Sequence, residues 1–254
     1  MIATYPDLAD KVVVVTGGSR GIGARTARAF AAQRAEVCVV GRDEDALASV
    51  VAAITEDGGT AIDAVADVTD ATALEAVRDR VESRLGPVDV LAAFAGGQGM
   101  PVASPDLTEE RWREVLDSDL TSAFLTVKAF LPGMLERGRG TILTMSSAAG
   151  RQPSQANLAY GVANAGLVML TRHLAAEVGP RGVRVNCIAP STIATEKVEA
   201  HMPAEVREKV AALHPLGRIG TTDDVAQTAL FLASDAASWL TGLTIDVSGG
   251  RITG

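Results

Sequence analysis

The stretch Thr16-Gly17-Gly18-Ser19-Arg20-Gly21-Ile22-Gly23 packs four glycines into eight residues between an apolar run and a helical pattern. Glycines permit a tight turn and let backbone N–H groups approach a pyrophosphate, and a helix N-terminus attracts the same anion. Alone the stretch would also suit a plain tight turn. Its place after the first apolar run, opening a βαβ pattern, favours dinucleotide binding. The second run ends Val39-Val40-Gly41-Arg42. An acidic side chain there would accept bonds from a ribose 2′-hydroxyl and repel a 2′-phosphate. Gly41 leaves that space free, while Arg20 and Arg42 offer charge-assisted bonds to phosphate. NADP(H) is therefore favoured over NAD(H); the alternative is that Arg42 is a solvated residue leading into Asp43-Glu44-Asp45. After the third run, Asp67-Val68 is placed to border an adenine, and Asp67 also reads as a helix N-cap. A second group of polar residues lies further on: Asp119, then Ser147 and Tyr160 thirteen residues apart, then Asn164 one helical turn after Tyr160.

Seven short apolar runs must position these groups: Lys11–Thr16, Glu36–Gly41, Ala61–Ala66, Val88–Ala93, Gly140–Met145, Val183–Ile188 and Leu243–Val247. Most are nearly continuous in Val, Ile and Leu, as strands buried on both faces should be. Helical patterns over 21–33, 44–57, 70–85, 108–137, 158–179, 204–213 and 222–233 separate them. This alternation predicts an α/β, Rossmann-type, doubly wound parallel sheet with helices on both faces. In the 108–137 helix, Trp112, Val115, Leu116, Ala123, Phe124, Val127, Leu131 and Met134 form a stripe facing the interior or a partner. Asp119 falls on that stripe, where a carboxylate should be hydrogen-bonded, paired or protonated, unless it sits solvated at the margin.

The 254 residues, 47% hydrophobic, suit one domain over 1–254, and no linker, repeat or low-complexity tract divides them. A net charge of −8 with scattered cations argues against nucleic-acid or anionic-membrane surfaces. Cys38 and Cys187 fall inside strand-like runs without metal-ligand spacing, as in a reducing, cytoplasmic setting, and the three histidines form no close pair. No metal site is expected. Met1 to Asp10 lacks a basic start and an apolar core, and nowhere do 18 apolar residues run together, so neither secretion nor membrane spanning is indicated.

From about Lys11 to Gly250 the chain resembles the compact short-chain dehydrogenase/reductases, similar to 3-oxoacyl-ACP reductase-like members. The resemblance rests on Thr16–Gly23, Asp67-Val68, Asp89, Ala95-Gly96, Ser147 with Tyr160, Asn186 through Pro190, Thr195, Pro215-Leu216-Gly217-Arg218 and Gly249-Gly250. It implies a seven-stranded sheet, a nicotinamide cofactor, a small carbonyl or alcohol substrate and a homotetramer or homodimer. Ser147 resembles the serine that hydrogen-bonds the substrate oxygen, and Tyr160 the general acid/base that moves the proton as hydride moves. Gly17, Ser19, Arg20, Gly21, Ile22, Gly23, Arg42, Asp67, Val68, Ala95, Gly96, Asn164, Pro190, Ile193 and Thr195 correspond to the cofactor's surroundings. Residues 193–213 resemble a mobile lid, and Ser248-Gly249-Gly250 opens a short tail expected near a subunit contact.

Three positions depart from the family pattern. Its active-site lysine is Asn164, its asparagine on the fourth helix is Asp119, and its Asn-Asn-Ala-Gly reads Ala93-Phe94-Ala95-Gly96. Asn164 still offers hydrogen bonds to a ribose but supplies no charge. Without that charge Tyr160 stays protonated at neutral pH, which suits ketone reduction better than alcohol oxidation. Among the lysines, Lys197 is the one candidate to replace it. Asp119 and Asn164 read as a refitted pair, carboxylate accepting from amide, with neutral drift as the competing account. The chain reads as an NADP(H)-dependent carbonyl reductase acting on a ketone or 3-oxoacyl group, with Tyr160 as proton donor, Ser147 orienting the oxygen, and Asn164 and Asp119 completing the site. Two alternatives stay open: a redox-impaired scaffold or regulatory subunit, and a non-redox acid/base enzyme using Asp119. Gln98, Gln152, Gln155, Phe94 and Met100 are candidates to flank substrate.

Overall fold

A computed structural model describes residues 3–253. Met1, Ile2 and Gly254, the outermost residues of the two termini discussed above, lie outside the described residues. The strands are β1 (Val12–Thr16), β2 (Glu36–Gly41), β3 (Thr60–Val65), β4 (Val90–Ala93), β5 (Gly140–Met145), β6 (Val183–Pro190), β7 (Ile193–Ala194), β8 (Gly220–Thr221) and β9 (Thr244–Val247). The helices are α1 (Gly21–Ala32), α2 (Glu44–Glu56), α3 (Ala71–Arg84), α4 (Glu109–Leu116), α5 (Ser122–Arg137), α6 (Leu158–Val178), α7 (Glu196–His201), α8 (Ala204–Ala211) and α9 (Thr222–Ala233). Seven strands form one parallel sheet ordered β3-β2-β1-β4-β5-β6-β9, the doubly wound arrangement expected; the β7–β8 pair was not anticipated.

The continuous valine runs follow from two cores. Val13 and Val15 face α1, α2 and α9, against Phe30, Leu47 and Leu230, while Val12 and Val14 face α3, α5 and α6, against Phe130 and Met134. Successive side chains point to opposite faces, so both phases of β1 must be apolar. Each buried valine contributes about 1.5–3 kcal/mol. Parallel pairing then brings every C-terminal strand end to one edge, where the candidate residues sit. Cys38 and Cys187 are buried and unpaired, and burial pushes the Cys38 thiol up to about 12.

The expected 108–137 helix is not continuous. A single π turn, Asp117–Thr121, separates α4 from α5. Its extra residue rotates the inward face, so Ser122, Thr126 and Phe130 are buried beside Ala123, Val127 and Met134, whereas Phe124 is half exposed. Such a turn often marks a functional position. Here it carries the buried Asp119. No helix among the described residues is long and apolar enough to cross a membrane.

Candidate active site

The turn between β1 and α1 is built for an anion. Arg20 caps α1 without any side-chain hydrogen bond, so the first amides of the helix carry no side-chain partner, unlike those capped by Asp43 (α2), Asp70 (α3) and Thr221 (α9). A Cβ on Gly23 would lie 2.1 Å from the Gly17 carbonyl oxygen, and one on Gly17 2.9 Å from that of Phe94. The Thr16 hydroxyl accepts from the Phe94 and Ala95 amides at 3.0 and 3.2 Å, fixing the β4 exit beside the turn. Thr195 closes the other side: its Cγ2 lies 3.3 Å from where a Gly21 Cβ would stand. β6 ends at Pro190, and Ile193 is buried beneath this cover. These residues fit a dinucleotide pyrophosphate.

At the far end of the cradle, a Cβ on Gly41 would meet Ser19 Cβ at 3.5 Å, an ordinary contact, so sterics alone would admit an acidic residue there. Arg20 pairs with Asp43, and Arg42 reaches Asp67 at 3.7 Å. Asp67 is not a helix N-cap: it accepts from Thr69 N–H at 2.9 Å and from the Thr69 hydroxyl at 2.7 Å, which hold its pKa down, while Asp70 caps α3. Val68 packs half-buried on the second core.

Beyond β5, Ser147 begins a short turn whose Ala149 amide donates to its hydroxyl at 3.2 Å. Gly150 lies flat on α6; a Cβ there would come within 2.5 Å of the Asn164 carbonyl carbon. That approach sets Ser147 against Tyr160 and Asn164. Burial pushes the Tyr160 phenol above its ordinary pKa and the Asp119 charge adds to this, while hydrogen bonding by Ser147 and Asn164 opposes it. None of these influences is a positive charge, and Lys197, on the exposed side of α7, is not among them.

Asp119 is 3% exposed. Its Oδ2 accepts from Gly97 and Gln98 N–H at 3.1 and 3.3 Å, and its Oδ1 from the Ser118 hydroxyl. Asn164 is 2% exposed and donates from Nδ2 to the Tyr160 carbonyl at 2.8 Å. The expected Asp119–Asn164 hydrogen bond is therefore absent. Asp119 is saturated by the loop it faces, and the amide turns back into its own helix.

A family model described as enoyl-(acyl carrier protein) reductase matches residues 17–251. The chain belongs to the short-chain dehydrogenase/reductase family. It is 38% identical to cis-4-hydroxycyclohexanecarboxylate dehydrogenase of Sinomonas cyclohexanicum, over 95% of this chain and 96% of that protein. A crystal structure of a Brucella melitensis 3-oxoacyl-[acyl-carrier protein] reductase with bound NAD superposes with a TM-score of 0.91 at 34% identity, covering 98% of this chain and 94% of the other. That of a Beutenbergia cavernae protein described as a putative NAD(P)-dependent gluconate 5-dehydrogenase, with bound NADP, gives 0.90 at 35% identity, covering 97% and 98%. The chain is thus an oxidoreductase of the short-chain dehydrogenase/reductase type.

Several residues of this short-chain dehydrogenase/reductase site escaped the sequence reading. Asn157, 1% exposed, accepts from Tyr160 N–H at 2.9 Å and donates to the Gln98 and Met100 carbonyls at 2.8 and 2.9 Å. Arg111 donates to the Gln98 side chain at 2.9 Å. Gly99 lies on the Tyr160 ring, 3.1 Å separating a Cβ placed there from Cε1. An asparagine three residues before the tyrosine was a legible N-cap signal; the loop contacts carry none. Gln152 and Gln155 are exposed, so of the glutamines proposed to flank substrate only Gln98 is held in place, by Asn157, Arg111 and Asp119.

Burial raises the Asp119 pKa, only partly opposed by Ser118, the two loop amides and Arg111. A carboxyl raised in the folded state binds its proton more tightly folded than unfolded. Stability therefore falls as pH rises from the unfolded to the folded pKa. Asp119→Asn keeps the two bonds accepted from the Gly97 and Gln98 amides, turns its NH2 toward the Ser118 oxygen and removes the buried charge. Calorimetry should show a higher thermal midpoint than wild type at pH 7, at about 2–4 °C per kcal/mol, with the gap closing toward pH ~4.

Proposed function

We propose an NADP(H)-dependent carbonyl reductase that converts a ketone or 3-oxoacyl group to an alcohol, in one cytoplasmic domain spanning 1–254 with residues 193–213 as lid. The observation that carries this reading is the packing of the Ser147 turn on α6 beside Tyr160, under Gly99, at the same sheet edge as the uncapped start of α1. Bound nicotinamide supplies the hydride. Ser147 donates to the carbonyl oxygen and orients it, and Tyr160, kept protonated by its surroundings, gives that oxygen its proton. Asn164 bonds the backbone carbonyl of Tyr160 and brings no charge to lower the phenol's pKa, which biases the site toward reduction. Gly17, Gly21, Ile22, Gly23, Ala95, Gly96, Pro190, Ile193 and Thr195 cradle the cofactor. Purified protein should oxidise NADPH with members of a ketone and 3-oxoacyl-thioester panel; binding without turnover across the panel would sink the assignment.

The phosphate preference draws on Gly41, Ser19, Arg20 and Arg42. The Arg20–Asp43 and Arg42–Asp67 pairs are exposed and contribute about 0–1 kcal/mol each, so a 2′-phosphate would displace them. Arg42→Ala should weaken NADPH binding about tenfold, the loss of one charge-assisted bond, and leave NADH within about twofold. Titration by nucleotide fluorescence checks this, and equal losses for both would refute the phosphate contact.

A redox-impaired scaffold remains the second reading, favoured by the absence, among the described residues, of any cation acting on Tyr160. Asp119 as a non-redox base is disfavoured, because three donors already occupy its oxygens. A homotetramer or homodimer is supported by Phe124 on α5 and Val162 and Met169 on α6, apolar and exposed.

A further inference from the structure

His214 stands at the foot of the lid and belongs to none of the groups above. It is 3% exposed, with both ring nitrogens engaged: Nδ1 lies 2.8 Å from the Val210 carbonyl oxygen and Nε2 2.9 Å from the Ser191 hydroxyl. A carbonyl only accepts, so Nδ1 carries the hydrogen and neutral Nε2 accepts from Ser191. Arg251 Nη1 donates to the same Ser191 oxygen at 3.4 Å. A directed chain results, from Arg251 to Ser191 to His214 to Val210.

The two residues joined by that ring bracket the lid. Ser191 follows β6 directly and is held by its N–H to the Val247 carbonyl at 3.1 Å. Thr192 to Leu213 then run out through β7, α7 and α8, and His214 returns the chain to Ser191. The β7–β8 pair and a Gly220 N–H bond to the Thr192 carbonyl at 3.0 Å brace the same neck. The tail seals it. Leu216 N–H reaches the Gly249 carbonyl at 3.1 Å, and Cβ atoms on Gly249 (φ +56°) and Gly250 (φ +86°) would come within 3.4 Å of His214 and 3.0 Å of Pro215. The tail thus packs on the lid of its own chain. The backbone angles favour glycine at both positions, and at Gly250 the close approach to Pro215 does as well.

We propose that His214 is a positioning residue that clasps the neck of the lid to Ser191, and so sets how long Thr195 stays over the start of α1 and how slowly the dinucleotide leaves. The effect on the dinucleotide rests on the function proposed above; the clasp itself does not.

Ser191→Ala removes one hydroxyl and leaves the ring in place. Trypsin cleavage at the exposed Lys197 and Lys209 of the lid should accelerate about 3- to 10-fold, as expected for one hydrogen bond. NADPH release in stopped flow should accelerate by a similar factor, with the thermal midpoint lowered by no more than about 2–4 °C, the effect of one such bond. His214→Asn, which keeps a donor near Nδ1 but cannot reach Ser191, should behave like Ser191→Ala. His214→Gln, whose amide oxygen reaches where Nε2 stood, should restore rates toward wild type. Wild-type cleavage and release rates in Ser191→Ala overturn the clasp. So does a midpoint that falls by more than about 4 °C, since a general packing contact would then account for the change. If wild type binds neither dinucleotide, the proposed function fails, and the cleavage rates decide the clasp alone.

Discussion

Tyr160→Phe is expected to lower kcat for ketone reduction by about 10²- to 10⁴-fold, the usual contribution of a positioned general acid, with NADPH affinity unchanged within about twofold. The phenyl ring still fills the space under Gly99, whose Cβ position lies 3.1 Å from the ring, so the substitution removes a proton rather than a surface. The pH dependence follows from the direction of the phenol's shift. Burial, then the Asp119 charge, raise its pKa beyond what Ser147 and Asn164 offset. Reduction needs the protonated phenol and should be flat from about pH 6 to 9, below an ordinary tyrosine pKa near 10. Oxidation needs the phenolate and should climb across that whole range. Steady-state assays in both directions, on wild type and variant, test the assignment. Turnover that survives the substitution moves the proton donor elsewhere and removes the central role given to Tyr160.

How much of this was legible depended on how local the signal was. Strand positions were written in valine runs apolar in both phases, because sheets covered on two faces demand it, and boundaries moved by only one or two residues. The tight turn after β1 was legible because glycines at Gly17 and Gly23 answer to contacts a Cβ would break. Other features had no local signature. The π turn at Asp117–Thr121 leaves the apolar spacing of 108–137 nearly unchanged while turning Phe124 outward. Asp67 and Asp70 both suit an N-cap, and only the start of α3 chooses between them. The imagined Asp119–Asn164 pair was reasonable by type, but nearer partners took both side chains: loop amides for one, the Tyr160 carbonyl for the other. Gly99, Gly150 and His214 act through Tyr160, Asn164 and Ser191, each more than three helical turns away along the chain, which spacing does not reveal.

These corrections change what Asn164→Lys should do. Had Asp119 and Asn164 been bonded, a lysine would have broken a refitted pair. Asp119 instead keeps its three donors whichever residue stands at 164, and the lost amide bond is a single one to the carbonyl of Tyr160. The new ammonium would be the first positive charge to act on the phenol, and the Asp119 charge, already felt there, would offset part of the cost of burying it. At about 4 Å and an effective dielectric near 20 it contributes up to ~4 kcal/mol, or up to ~3 pKa units. The pH profile for alcohol oxidation should therefore shift toward acid by about 1–3 units, raising the rate at pH 7 by about 10- to 1000-fold. Reduction at pH 7 should change far less, because its proton is already in place. Oxidation profiles of wild type and variant, with NADP⁺ saturating, measure the shift directly. A variant that folds, binds NADP⁺ and shows no displacement of its profile would mean that the phenol does not govern the proton, and that the asparagine is no deficit at all.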